Sequence, residues 1–324
     1  MGFDYTSDAL IKDIKRRTFM PISQITYDDS DILDFADEET QVGIVPLLMS
    51  VREDYLVTYK EDAIQADTVA YNMHKRAIVQ KLKDVTVIES NSNPANPIEI
   101  SIPRIQSDQA PSGLLNNYPG FYVRNNKVIL QNPEAFTGQK LRQYYFLRPS
   151  KLVTTINACK ITRVGPDSSL SPVLQANQIE VSLIPTEFGT TATFNQTVDI
   201  VKGNPGFEIL SMDVEATFNI NTLIITFSSL TELPEELEVN DWVCLAGETV
   251  VPQIPVEMHP ILAQRAAIKV LEGMGDSTNL QLAQGKLKEM EKAILGLLSN
   301  RIEGEPQKVI NPYSPLRVYP WRRF

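Results

Sequence analysis

Cysteine, histidine and tryptophan are each present only twice in 324 residues, so the side chains most used for metal and redox chemistry are scarce. Cys159 and Cys244 stand far apart in apolar or alternating surroundings, which predicts buried free thiols and offers neither a disulfide framework nor a spaced metal site. With His74 and His259 alone, no H-E-x-x-H arrangement exists, and a zinc centre would need carboxylates from unrelated segments. No metal and no cofactor are therefore expected. A P-loop is also missing: Gly113, Gly120, Gly138 and Gly165 are dispersed, and none leads into a GK[ST] sequence. Ser168 and Ser169 lack the G-x-S-x-G elbow of a serine hydrolase. No run approaches the roughly 18 apolar residues that read as a bilayer span, so no membrane partner is expected. The first twenty residues carry Asp4, Asp8 and Asp13 and no continuous apolar stretch, which argues against a secretory signal.

The composition is that of a soluble globular protein, with 43% hydrophobic and 22% charged residues, and the length suits one large or two modest domains. Thirty Lys plus Arg stand against forty Asp plus Glu, a formal charge of -10. A surface of that sign repels nucleic acid overall.

Hydrophobic periodicity divides the chain into zones. From Ser7 to about Tyr71 the pattern is helical, with Leu10, Ile11 and Ile14 on one face and a longer run after a candidate cap at Ser30. Acidic residues crowd the start of that run, where the helix dipole favours them, and Pro46 predicts a kink. The middle alternates with period two, as in Val85 and Val87, then Ile98, Ile100 and Ile102, and later Val128, Leu130, Ile156, Ile161, Val181 and Leu183. Asn125-Asn126 between two apolar runs reads as a tight hairpin. After Pro255 the helical period returns: Pro260 opens one helix that Gly273 and Gly275 close, and a second, capped by Asp276 or Ser277, carries Leu280, Ala283, Leu287, Met290, Ile294 and Leu297.

The expected fold is therefore α+β. A helical bundle formed by residues 1–77 and 251–303 carries a large antiparallel β domain inserted over 78–250, and an extended arm follows over 304–324. In that arm four prolines oppose regular helix, Tyr313, Leu316, Val318, Tyr319, Trp321 and Phe324 supply apolar surface, and Lys308, Arg317, Arg322 and Arg323 are unopposed by any acid after Glu305. Such a segment suits docking on a partner protein. The acidic group that includes Asp34, Asp37, Glu38 and Glu39 lacks the differently tuned, cleft-facing pair that acid–base catalysis needs. A solvated helix start is the expected arrangement, and in a ring this group would face the lumen.

Several runs resemble the head-to-tail connector proteins of tailed bacteriophages, the adaptors beneath the portal in short-tailed and crAss-like phages. They are SDILDFADEETQVGIVPLLMSVREDYLV at 30–57, RAIVQKLKDV at 76–85, VPQIPVEMHPILAQRAAIKVLEGMGD at 251–276 and NRIEGEPQKVIN at 300–311, with looser likeness in KLRQYYFLRPSKLV at 140–153 and NDWVCLAGE at 240–248. The resemblance implies a non-enzymatic virion subunit in a dodecameric ring, assembled in the host bacterial cytoplasm and located at the viral neck. Its implied partners are the portal protein, neighbouring copies, and tail or further ring proteins, with genomic DNA passing through without sequence-specific binding. Tyr313, Arg317, Tyr319, Trp321, Arg322, Arg323 and Phe324 would then face the portal. The competing expectation is a receptor-binding or other tail structural protein, which a trimeric stoichiometry would distinguish from a portal-matched ring. A glycan hydrolase would need a pair of suitably separated acids, and a free DNA-binding module runs against the net charge.

Overall fold

A computed structural model describes residues 5–19, 27–51, 53–89, 97–105, 120–168, 171–203, 208–229 and 233–298. The fold is mixed α+β, with mainly antiparallel sheets and a closed six-stranded barrel.

Helix α1 spans Ser7–Arg17 and buries the predicted face of Leu10, Ile11 and Ile14. Helix α2, Asp29–Glu39, starts earlier than Ser30. Its cap is Asp28, which forms a reciprocal capping box with Asp31, the Asp28 N–H donating to Asp31 at 3.0 Å. Two N–H groups of the first turn are thereby satisfied, an arrangement that Ser30, already inside the helix, does not offer. The kink predicted at Pro46 takes the form of a π-turn over Thr40–Ile44, in which the Val45 N–H donates to the Thr40 carbonyl. That wider turn makes room for a proline ring at the start of α3, Val45–Val51.

The helical zone ends there and not near Tyr71. A 3-10 turn at Glu53–Leu56 leads into β1, Val57–Ala63. β1, VTYKEDA, opens on three residues that favour strands and pairs along its whole length with the later strand Lys140–Leu147. After β2 (Ala70–Asn72), β3 (Ala77–Ile88) and β4 (Glu99–Ser101) come β5 (Gly120–Arg124) and β6 (Lys127–Gln131). The last two form the predicted hairpin, Asn125 and Asn126 both taking positive φ, 50° and 61°, as a type I′ turn requires. β7 (Lys140–Leu147) completes a sheet of order β1-β7-β3-β4, while β2-β6-β5 form a second sheet. Val85, Val87, Phe121, Val128, Leu130 and Leu141 are buried in the core they share.

The barrel is built from β9 (Cys159–Val164), β10 (Gln178–Val181), β11 (Thr193–Val201), β12 (Ile209–Asn219), β13 (Ile224–Phe227) and β14 (Trp242–Leu245), closing in the order β10-β13-β12-β11-β14-β9. Its interior holds Ile161, Ile179, Val198, Ile200, Phe218, Ile225 and Val243. Closure removes the exposed strand edges that invite aggregation. β8 (Lys151–Leu152) and β15 (Glu248–Thr249) pair in parallel, so the β region is not wholly antiparallel. Ile156 also departs from its expected strand, lying exposed in a 3-10 turn, and Leu183 is exposed outside any strand.

Helices α4 (His259–Met274) and α5 (Ser277–Leu298) complete the chain. Gly275 caps α4 with φ 72°, and Asp276 caps α5 by accepting the Asn279 N–H at 3.1 Å. Gly273 does not end α4. It lies within the helix, where a Cβ would stand 2.2 Å from the Tyr27 hydroxyl. α4 is buried almost all round, and its alanines Ala263, Ala266 and Ala267 are fully covered, so neighbouring helices approach closely. Its core includes Leu10, Ile11 and Ile14 from α1, Ile32, Leu33 and Ala36 from α2, and Ile294 from α5. Gln264, buried among them, accepts from Arg17 at 2.8 Å and donates to the Ala283 carbonyl at 3.2 Å.

Replacing Ile14, which is fully buried, by alanine should therefore loosen the contact between the two ends of the chain and cost about 2–5 kcal/mol. A urea melt reads this loss, and a change under about 0.5 kcal/mol, the size of a neutral surface substitution, would show that α1 is not part of the core.

Candidate functional site

Residues of the helices, of the four-stranded sheet and of the barrel converge on one cleft of about 630 Å³. Asp34 and Asp37 reach it from α2, Lys75 and Arg76 from the connection into β3, Val79 from β3 itself, Arg148 from the turn after β7, Lys151 from the start of β8, and Gly247 from the turn after β14.

Arg76 is the centre of the junction. Its guanidinium donates to both oxygens of Asp199, at 2.5 and 3.0 Å, and to Asp213 at 2.6 Å. Asp199 is completely buried on β11, at a point where the ladder to β12 slips register between Val198 and Ile200. The slip, with Asp213 in the left-handed region at φ 53°, lets the Asp213 N–H donate to Asp199 at 3.0 Å. The Gly247 N–H donates at 3.0 Å as well. Gly247, at φ 90°, holds a conformation that favours glycine. Each oxygen of Asp199 thus has two donors, which satisfies a carboxylate that burial would otherwise penalise heavily.

His74 lies beside this pair. Its ring stacks on Tyr145 with centroids 5.0 Å apart, and its Nδ1 accepts the Arg76 N–H at 3.2 Å. Nε2 is then left to carry the hydrogen, 3.4 Å from Asp213. Burial lowers the His74 pKa, Arg76 and Lys60 add to the effect, and Asp213 and Asp199 oppose it. The imidazole therefore connects Tyr145, Arg76 and Asp213. His259 is likewise structural: burial holds its pKa down at about 4, against hydrogen bonds to the backbone of Ile254 and Pro252.

The four acids expected at a lumen are not brought together as a free negative face. Asp34 is exposed and pairs with Lys151 at 3.2 Å, and Glu38 is exposed and pairs with Lys269 at 3.4 Å. Asp37 and Glu39 turn inward, contrary to expectation. Both Asp37 oxygens accept the Leu152 N–H at 3.0 Å, and Glu39, only 9% exposed, binds Arg265 at 3.0 Å. The acids of α2 dock it on β8 on one side and on α4 on the other. Burial raises the Asp37 pKa to about 7; the Leu152 N–H and Lys151 oppose this shift and Asp34 reinforces it. The seven arm residues Tyr313, Arg317, Tyr319, Trp321, Arg322, Arg323 and Phe324 lie outside the described residues.

Against protein-family models and curated protein sequences, the chain finds no match.

Asp199 and the cleft cations were missed at the level of sequence. The available signal was an acid inside the apolar strand run Val198-Asp199-Ile200-Val201, a position where a charge needs a buried partner. Among the described residues the same device recurs in three further arginines, each held by two carboxylates. Arg142 bridges Glu61 and Glu99, Arg163 bridges Asp167 and Glu180, and Arg265 bridges Glu39 and Glu291. The cleft can therefore hold elements in register, and its lining sets Lys75, Arg76, Arg148 and Lys151 beside Asp34 and Asp37. Both cysteines are buried, and burial raises the thiol pKa of each, as expected for inert thiols.

Two outcomes follow. Asp199→Ala leaves the Arg76 guanidinium without its buried partner and should cost about 3–5 kcal/mol in a denaturant melt, whereas a loss below about 1 kcal/mol would mean that the pair carries no structural load. Asp37 holds its proton in the folded chain up to about pH 7, against 3.8 for the unfolded group. Its contribution to stability is present below about pH 4 and is lost as pH rises to 7. Relative to Asp37→Asn, the natural chain should then lose up to about 4 kcal/mol between pH 4 and 8. Urea midpoints whose difference does not change with pH would rule this out.

Proposed function

We propose that the chain is a non-enzymatic structural subunit of a phage head-to-tail connector ring, extending the DNA channel beneath the portal and offering a platform for tail proteins. In this reading α1–α3 and α4–α5 form one bundle, the strands are an insertion into it, and residues 304–324 are an arm that docks on the portal. The subunit belongs to the virion neck, closes a ring with copies of itself, and lets genomic DNA pass without reading its sequence.

The observation that carries the proposal is the shared core of α4, in which α1 and α2 from one end of the chain pack with α4 and α5 from the other. The sheets and the barrel are built around separate cores and fastened by arginine clamps. A body held in this way transmits load between elements without rearranging, as a ring component must. The arm adds its composition: aromatic and arginine side chains bury area and form forked hydrogen bonds on an acidic partner.

The acids that grip the four arginines, together with Asp37, are engaged within the chain, and Asp34 and Glu38 pair with Lys151 and Lys269, so in this reading repulsion of the duplex rests on exposed carboxylates such as Asp31, which has no ion pair among the described residues.

Removing residues 313–324 should leave the melting curve of the subunit unchanged and abolish its co-assembly with the portal, read by co-sedimentation of the two proteins. Undiminished co-assembly would sink the docking role of the arm, and an electron density map of the complex without a closed ring would sink the connector reading itself.

A further inference from the structure

Two surface features at opposite ends of β14 are opposite in charge. At the Gly247 end lies the cleft. Arg76 is matched by Asp199 and Asp213 there, and Lys151 by Asp34, but Lys75 and Arg148 are exposed and make no ion pair among the described residues. On its rim stands Val79, 86% exposed, in an irregular stretch of β3 where Val79 and Gln80 both take positive φ, 47° and 52°. A β-branched residue in the left-handed region is strained, and strain kept beside an exposed apolar side chain points to a contact surface.

At the other end, just before Trp242, the barrel presents Glu235, Glu236 and Glu238, all exposed and without ion pairs among the described residues, beside Val239, 51% exposed. This loop is anchored: the Leu237 N–H donates to the Pro234 carbonyl at 3.2 Å, and the Glu238 N–H to the Asp241 carboxylate at 2.8 Å. The two patches are separated by the four residues of β14, on the order of 13 Å of extended strand, so they are distinct surfaces of one subunit.

We infer that the acidic loop at 235–239 of one copy docks in the Lys75/Arg148 cleft of the next, against Val79. A contact between two different patches on identical chains is heterologous, and it closes into a ring when its rotation permits. It also explains how chains with a charge of -10 associate, since local complementarity offsets overall repulsion. The inference rests on the ring reading and names the contact within it.

The test uses the full chain, with and without the portal. The K75E/R148E variant should raise the concentration at which half the chain is assembled at least ~10-fold, as read by mass photometry, with no change in melting temperature. Adding E235K/E236K to the same chain should restore assembly. In chains carrying V79C and V239C together, oxidation should yield a ladder of linked copies that neither single variant gives, because Cys159 and Cys244 are buried. If natural rings form and both K75E/R148E and the paired cysteines leave them unaltered and unlinked, the contact is overturned and the ring reading stands. If the natural chain forms no assembly under either condition, both fall together.

Discussion

The guanidinium of Arg76 against the buried carboxylate of Asp199 is the interaction on which the junction of sheet, barrel and cleft depends. Asp199 has no exposure, and a charge taken that far from water persists only with its donors complete. Arg76 provides two of them from the sheet side, while the backbone of Asp213 and of Gly247 provides the others from the barrel. Such a pair adds little net stability over an apolar substitute, but it tolerates few alternative geometries. Its effect is to set how the sheet meets the barrel.

The same logic redistributes the charge of the molecule. Four arginines, each shared by two acids, turn part of a net acidic composition into internal fastening. The acids of α2 are similarly employed, with Asp37 on the Leu152 N–H and Glu39 on Arg265. What remains outside is uneven, with Lys75 and Arg148 at one end of β14 and Glu235, Glu236 and Glu238 at the other. Net charge is thus a poor guide to what this surface attracts or repels, because close contact responds to local arrangement and screening removes most of the distant sum.

Where a local period was strong, the sequence was legible. The faces of α1 and α4, the Asn125-Asn126 hairpin and the caps at Gly275 and Asp276 depend on residues within one or two turns of one another. The passage from helix to strand at Val51–Val57 was misread because Tyr55, Leu56 and Val57 continue an apolar run that either period accommodates. The start of α2 was misplaced by two residues because capping is decided by a reciprocal pair, Asp28 with Asp31, and not by the best single residue type. The candidate site was legible only in part. Asp34 and Asp37 were singled out for their density of charge, but their partners Lys151 and Leu152 lie more than a hundred positions away, and nothing in the spacing connects them.

Composition and periodicity alone determined that this chain is an α+β protein with helices toward both ends, strands between them, and inert thiols. Such properties follow from side-chain volume and from regular repetition along the backbone, which the order of residues already contains. Tertiary structure alone decided that six strands close into a barrel, that Arg76 finds Asp199, and that Asp37 and Glu39 turn inward. Those outcomes depend on desolvation, which has no value until distant segments have packed together and taken a charge out of water.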